Sequence, residues 1–352
     1  MKNLNVLENM KNYFVVLFIG LIFFSCNNSK NKPDLSAITI QLETLRFDQD
    51  LFLLDTSHFS TSMQQLQKKY PKFLPDFLNN VLGISPSEPQ IEAIVKKYIH
   101  DFKPIYILSD KKFKNFSNYS NEVIALLKYT KYYFPKYTLP KQLITFIGPM
   151  DAFYENALGW SGDIYSNAGL GVGLQLHLGG KESIYEQAEN MGYPAYISRR
   201  FEPSTIVVNC AINIIDDFMP EVAQSENLVI QMVDKGKRMY ILDKLLPDVA
   251  DSLKIGYTSS QLKGCQKNEA LIWNLFTQDN LLFETDYPKI KGFLTEGPNT
   301  PELGDQSPGN IALFAGWQLV KSYMKHHPET TLPQLMAMNG QKLFEESKYK
   351  PD

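Results

Sequence analysis

The segment from Glu202 to Asp217 constrains the fold most, because it is a long apolar run with a proline near each end. Pro203 suits the first position of a helix, and Pro220 must end whatever precedes it. The run is rich in Ile and Val, so propensity alone would also permit a strand. Its length of about 14 residues favours a helix, and we expect this helix to lie at the centre of the core.

If the segment is a helix, Asn209 and Asn213 lie four residues apart and project from one face, with Cys210 beside them. This is the spacing of the two histidines in the zinc-protease signature H-E-x-x-H. Neutral amides are poor zinc ligands, and a thiol is not the carboxylate base that the signature supplies. By themselves, these residues therefore identify no reaction.

The composition argues against binding to nucleic acid. The 352 residues are 44% hydrophobic and carry a formal net charge of -3, which gives no overall attraction for a polyanion. The three cysteines (Cys26, Cys210 and Cys265) are too few for a disulfide scaffold and lack metal-ligand spacing. Cys210 and Cys265 could form one bridge in an oxidising compartment, but we favour two buried free thiols.

The N-terminus has the pattern of a secretory signal peptide over residues 1–25. An apolar run of about 12 residues, Tyr13 to Phe24, follows two lysines and is too short to span a bilayer, which takes about 20 residues. The run ends in Phe23-Phe24-Ser25-Cys26, which resembles a bacterial lipobox in its looser Bacteroidetes form. The resemblance implies cleavage before Cys26 and lipid attachment to it. A plain secretory signal with a coincidental cysteine is the alternative.

A flexible tether is predicted for residues 26–36, because Asn27 to Asp34 offers no apolar side chain to pack. Surface-exported lipoproteins of Bacteroidetes carry acidic residues just after the cysteine, and this chain does not. We therefore expect a lipid-anchored envelope protein that faces the periplasm, in either membrane. Residues 37–352 are predicted to form a single globular domain.

Hydrophobic periodicity predicts the remaining elements. Strands are expected at Ile38–Phe47, Leu143–Gly148 and Gly171–Leu178, and helices from Thr61 to Ser109 with breaks, from Glu122, at Ser225–Leu246, Gln261–Phe276 and Ser307–His327, and after Leu332. The Pro- and Gly-rich stretch from Leu281 to Gln306 is predicted to be a long surface loop and a candidate rim of a site. Lys235, Lys237 and Arg238 are expected on a solvated face, with pocket lining as the alternative.

Three further motifs were considered for catalysis or metal binding. Gly159-Trp-Ser-Gly162 is not a nucleophile elbow, because Asp163 stands where the motif needs glycine. His177 has no partner nearby in sequence, so a structural histidine is the favoured interpretation. An enzyme with Cys210 as nucleophile and a distant histidine such as His177 stays open as an alternative. His326 and His327 are adjacent on a helix and diverge, which makes them a poor metal clamp.

Several segments resemble the gliding motility lipoprotein GldB family of Bacteroidetes. Besides the lipobox, they are Leu176–Lys181, Lys235–Asp243, Pro308–Val320 and Ser347–Pro351, in family order. The resemblance implies a lipid-anchored envelope protein that the gliding machinery needs and that is associated with type IX secretion. It also implies protein partners from that machinery.

The GldB-like fold in turn resembles a group of predicted zinc proteases. This implies an α+β, predominantly helical, zincin-like metalloprotease-type fold with a small β-sheet. In those proteases one helix bears H-E-x-x-H, and a following helix supplies a third ligand as the glutamate of an E-G pair. The corresponding residues here are Asn209, Cys210, Asn213 and Lys235, the last just before Gly236.

Each of these positions departs from the protease pattern, and an ammonium at Lys235 would repel a metal cation. The resemblance therefore implies a degenerate site with no catalytic residue, no metal and no cofactor. We expect a non-enzymatic protein that acts through protein–protein contacts. The alternative is an envelope hydrolase or protease that uses Cys210 or an unrecognised metal site.

Overall fold

Helices make up most of the protein. The computed structural model describes residues 32–85, 87–185 and 193–351, without the side chain of Asp279. The helices are α1 (Phe47–Phe52), α2 (Phe59–Lys69), α3 (Phe73–Asp76), α4 (Ile91–Asp101), α5 (Lys103–Lys112), α6 (Ser117–Tyr133), α7 (Ala195–Ser198), α8 (Ile206–Phe218), α9 (Leu228–Leu245), α10 (Asp251–Ile255), α11 (Ser259–Lys267), α12 (Glu269–Thr277), α13 (Tyr287–Leu294), α14 (Ile311–His326), α15 (Leu332–Ala337) and α16 (Gly340–Ser347). The predicted signal peptide (1–25), Cys26 and most of the predicted tether lie outside the described residues.

A four-stranded mixed sheet and a separate hairpin supply the β structure. The strands are β1 (Glu43–Arg46), β2 (Gln142–Phe146), β3 (Tyr154–Asn156), β4 (Gly159–Ser161), β5 (Ile164–Ser166) and β6 (Gly169–Gly173). The sheet order is β1-β2-β6-β5, with β3 and β4 paired as the hairpin. Strands β1, β2 and β6 run parallel, and β5 is antiparallel to β6. Strand β5 therefore forms one edge of the sheet.

Helices cover both faces of this sheet. On one face, the ring of Phe146 packs against Phe73 and Phe77, with ring centroids 5.8 Å and 6.0 Å away. Strand alternation and the register turn Tyr165 to the opposite face. There Tyr137 donates a 2.7 Å hydrogen bond to Asp217 at the end of α8 and contacts the Tyr165 hydroxyl at 3.2 Å. The sheet thus holds α8 against its second face.

The central segment forms the predicted helix. A short 3-10 turn at Pro203–Thr205 leads into α8, whose apolar side chains are almost all buried. Helix α8 packs on α6, α9 and the strands β5 and β6. Helix α9 in turn packs along α14, where a Cβ at Gly316 would lie 1.9 Å from the Met232 carbonyl oxygen. Only glycine permits that approach of the two backbones.

The expectation of a solvated basic face on α9 was wrong for two of its three residues. Arg238 is fully buried and Lys237 is 5% exposed, whereas Lys235 is half-buried. Arg238 binds Asp234, Asp216 and the Met219 carbonyl. A buried guanidinium is tolerated because each of these oxygen atoms accepts one of its hydrogen bonds.

Other element predictions differ from the structure in extent, and one differs in type. The strand predicted at Ile38–Phe47 is confined to β1, because α1 begins at Phe47, and the strand predicted to Leu178 ends at Gly173, where a 3-10 turn takes over. The helix predicted at Gln261–Phe276 is interrupted at Asn268. The stretch Leu281–Gln306 is not a structureless loop, since it contains α13. Pro288 stands in the first turn of that helix, where proline is tolerated.

The fold class is confirmed as predominantly helical α+β, with 58% helix and 8% strand. Residues Ile38–Asp352 form one unit. Within the described part of the chain, no helix has both the length and the apolarity that crossing a bilayer requires.

Candidate functional site

A buried carboxylate, Asp163, organises the polar groups around α8. Its side chain is fully buried in the turn between β4 and β5. It accepts hydrogen bonds from His177 Nε2 at 2.9 Å, Asn209 Nδ2 at 2.8 Å and the Gly173 backbone N–H at 2.8 Å. The cluster Asp163–His177–Asn209 therefore joins the β4–β5 turn, the segment after β6 and helix α8.

Both ring nitrogens of His177 face acceptors. Nε2 points at Asp163, and Nδ1 lies 3.1 Å from the Glu202 carbonyl oxygen and 3.2 Å from Thr205 Oγ1. Thr205 uses its own proton toward the carbonyls of Arg200 or Glu202, so its oxygen can accept from the ring. We therefore assign a proton to each nitrogen, which makes His177 an imidazolium paired with the Asp163 carboxylate.

The pKa of His177 follows from the same geometry. Burial by itself lowers the pKa, but the charge of Asp163 and the hydrogen bonds to Asp163 and Glu202 outweigh it, and the net pKa is raised. The pair is 1% and 0% exposed at its side chains, so water screens the attraction little. This buried ion pair joins the β4–β5 turn to the segment after β6, and the hydrogen bond from Asn209 adds α8.

The environment of Cys210 is unfavourable for a nucleophile. The side chain is 1% exposed, and burial raises the pKa of its thiol well above the ordinary value, with the negative charge of Asp163 adding to the effect. The thiolate is the reactive form, so this environment suppresses reactivity. His177 is the histidine that the cysteine-hydrolase alternative would use as its base. Both of its ring nitrogens already contact oxygen atoms. Cys265 is likewise a buried free thiol.

Two further predicted residues, Lys235 and Asn213, lie on α9 and α8. Lys235 Nζ donates a 2.6 Å hydrogen bond to the Ala157 carbonyl in the hairpin turn. Burial lowers the pKa of Lys235, partly offset by the charges of Glu221, Asp234 and Glu155. Asn213 Nδ2 is buried and has no hydrogen-bond partner among the described residues. Lys235, Glu155, Glu221 and Tyr287 thus share one region, since both glutamates also raise the pKa of Tyr287.

Of the residues predicted for the degenerate site, Asn209, Cys210 and Asn213 lie on α8 and Lys235 lies on α9, which packs against α8. In the ranges that the structure covers, no hydrogen bond joins any two of Asn209, Cys210, Asn213 and Lys235. Asn209 and Lys235 instead bind the same short segment, at Asp163 and Ala157. A zinc ion among them would meet two neutral amides, an ammonium and a single thiol whose pKa burial raises, so these side chains do not fit that metal. The described residues also contain no group of three or more His, Cys, Asp and Glu placed to hold a metal ion.

The sequence did not identify Asp163 as the centre of this site. Its partners His177 and Asn209 lie 14 and 46 residues away, so no local spacing connects them. The only hint was an acidic residue directly after the glycine of Gly159-Trp-Ser-Gly162.

A separate polar cavity of about 990 Å³ opens beside the sheet. Tyr165 and Ser166 from β5, Gly169 from β6 and Asp217 from α8 line it, facing Lys72 and Asp76. The Asp163 cluster does not line this cavity. Glu296, two residues after α13, forms an ion pair with Arg200 and does not line this cavity.

Comparison with known proteins gives one family. The family model for gliding motility protein GldB matches residues 28–351. No curated protein and no solved structure matches the chain.

Proposed function

This chain belongs to the family of the gliding motility protein GldB, and on that premise we propose that it serves the gliding apparatus by binding protein partners, without catalysis. Family membership makes it a gliding-motility lipoprotein of the cell envelope. We further propose that a lipid on Cys26 anchors it, that it faces the periplasm, and that it works together with type IX secretion.

The observation that supports the non-catalytic proposal most directly is that the polar groups of the Asp163 cluster are buried and already hydrogen-bonded. The carboxylate, the imidazolium and the Asn209 amide donate to or accept from one another or the backbone, and all are buried. A general base needs a free lone pair within reach of its substrate. The cluster offers none, and the Cys210 thiol beside it has a raised pKa.

Two features support a protease-like scaffold whose site has degenerated. Helices α8 and α9, which carry the positions of the lost ligands, pack against each other. Asn209 and Lys235 reach the same short segment from those two helices. In this proposal the polar bonds that once would have oriented a metal site now hold the β3–β5 segment.

The proposed contact surface is the Lys235 face, which we define as Lys235, Glu155, Glu221 and Tyr287. Glu155 and Glu221 are exposed, and Val222 beside them is 36% exposed. Tyr287 opens α13, so the face includes part of the stretch predicted as a rim. Acidic groups around a half-buried ammonium favour a partner with complementary charge, and such charges steer association.

The experiment is in-cell crosslinking and capture of the full-length protein in a gliding strain that lacks its own copy. The test variant is Glu155→Lys with Glu221→Lys, and the matched control is Glu329→Lys with Glu345→Lys, two exposed glutamates elsewhere. We expect the test variant to lose a crosslinked partner and colony spreading at normal protein levels, while the control keeps both. Unchanged partners and spreading in the test variant would contradict the proposed surface.

A further inference from the structure

Helix α5 exposes an apolar stripe to solvent. Pro104, Ile107, Leu108 and Lys111 follow the i, i+3, i+4, i+7 spacing of one helix face, and all four are exposed. Ile107 is 57% exposed and Leu108 is 40% exposed. The opposite stripe, with Ile105 and Tyr106, is buried in the core. The helix is therefore apolar on two sides, and only one of them is used by the fold.

Leu53 directly follows helix α1, which ends at Phe52 and packs against α5. It is 69% exposed, the highest value among the exposed large hydrophobic side chains of the described residues. The Phe52 ring stacks on Tyr106 with centroids 5.0 Å apart, and Lys103 Nζ donates a 3.1 Å hydrogen bond to the Phe52 carbonyl. These contacts place Leu53 beside α5. We call Leu53, Pro104, Ile107 and Leu108 the α5 patch.

Lysines outnumber acidic residues in the sequence that contains α5. Residues 96–114 contain six lysines and two aspartates, a net charge of +4 in a chain whose formal net charge is -3. Lys96 and Lys97 form ion pairs with Glu92 and Asp101, and Asp110 accepts a hydrogen bond from the amide of Gln49. Lys111, Lys112 and Lys114 are exposed at the end of α5. Among the described residues, no ion pair engages these three lysines.

We propose that the α5 patch rests on an anionic lipid bilayer, with its aliphatic side chains at the headgroup boundary and the lysines on lipid phosphates. Exposed contiguous aliphatic side chains mark an interaction surface. Aliphatic groups bordered by lysine are the composition that binds at an anionic membrane interface. The lipid anchor proposed at Cys26 would hold this chain next to a membrane, so the inference rests on that part of the proposed function. The proposal concerns a different face from the Lys235 face and sets how the molecule is oriented on its membrane.

The test uses the full-length protein reconstituted at one copy per nanodisc. An environment-sensitive fluorophore is attached to Ile107→Cys or Leu53→Cys, with Leu271→Cys as the matched control, because Leu271 is 58% exposed on α12. Cys210 and Cys265 are buried, so unsubstituted protein measures background labelling. Discs contain phosphatidylcholine alone or with phosphatidylglycerol, and lipids bearing a nitroxide serve as quenchers.

With phosphatidylglycerol present, we expect a blue shift and at least twofold stronger quenching at positions 107 and 53, and neither at 271. Replacing Lys111, Lys112 and Lys114 by Gln should remove the dependence on phosphatidylglycerol, whereas replacing Lys263 and Lys267 on α11 should not. Quenching at 107 that equals that at 271 would overturn the proposal. So would equal quenching in both lipid mixtures, or a blue shift without lipid that grows with protein concentration, which would assign the patch to a second copy.

Discussion

Asn209 donates a 2.8 Å hydrogen bond to Asp163, the same carboxylate that pairs with the buried imidazolium of His177. The amide at the first ligand position of the H-E-x-x-H spacing is therefore a structural donor. It binds a segment of the molecule that the metal-site interpretation did not include.

Asp163→Asn should destabilise the protein by about 3 to 5 kcal/mol, because it leaves a buried imidazolium without its counter-charge. Urea unfolding followed by tryptophan fluorescence gives the free energy. Asp151→Asn, at an exposed position, is the control and should change it little. A free energy of unfolding for Asp163→Asn within about 0.5 kcal/mol of wild type would remove the ion pair from the account.

The His177 ion pair also predicts a pH dependence. Because the folded pKa of His177 is raised above its ordinary value of 6.5, its contribution is complete below 6.5 and is lost as pH rises through the folded pKa. Burial raises the pKa of Asp216 to about 6, so the change in stability that comes from Asp216 occurs at lower pH. Unfolding free energies measured above pH 6.5 should therefore fall with pH in wild type and fall less in His177→Gln. Parallel curves would count against the assignment.

Cys210 should react slowly in the folded protein. Its thiol is buried and its pKa is raised, so little thiolate is present near neutral pH. Alkylation with iodoacetamide, read by mass spectrometry, should label Cys210 in urea and leave it largely unlabelled without urea. Fast labelling of Cys210 in the native protein would revive the alternative of a cysteine hydrolase.

Gly316→Ala should destabilise the α9–α14 packing, because the new methyl group would lie 1.9 Å from the Met232 carbonyl oxygen. We expect a loss of more than about 2 kcal/mol, as overpacked cores lose about 1 to 3 kcal/mol or more. Gly264→Ala on α11 is the matched control. A Cβ there meets nothing within 4 Å, so this variant should gain about 0.4 to 1 kcal/mol. Equal effects of the two substitutions would contradict the close helix crossing.

Sequence patterns predicted the elements whose signals are local. The length and composition of Glu202–Asp217 were enough to place α8, and Pro247 fits the end of α9 at Leu245. The burial of Arg238 was not predictable, because its partners Asp216 and Met219 come from another helix. A run such as Lys235-Gly-Lys-Arg238 is usually exposed unless distant chain segments supply acceptors.

The candidate site shows the same limit. The spacing of Asn209 and Asn213 drew attention to α8, from which Asn209 binds Asp163, and Lys235 binds Ala157 in the β3–β4 hairpin. Asp163 and His177 could not be joined to it, because sheet pairing between β5 and β6 and the packing of α8 create their contact. Long-range pairing of this kind leaves no periodic trace in a single sequence.

Colony spreading is the measurement that tests a non-catalytic, partner-binding role most directly. In a gliding strain without its own copy, a full-length Cys210→Ser, Asn213→Ala variant removes the thiol and the Asn213 amide from α8, whereas Glu155→Lys with Glu221→Lys changes only the Lys235 face. We predict normal spreading with the first variant and loss of spreading with the second, at equal protein levels. The reverse result, loss with the first and normal spreading with the second, would contradict the account and indicate chemistry at α8.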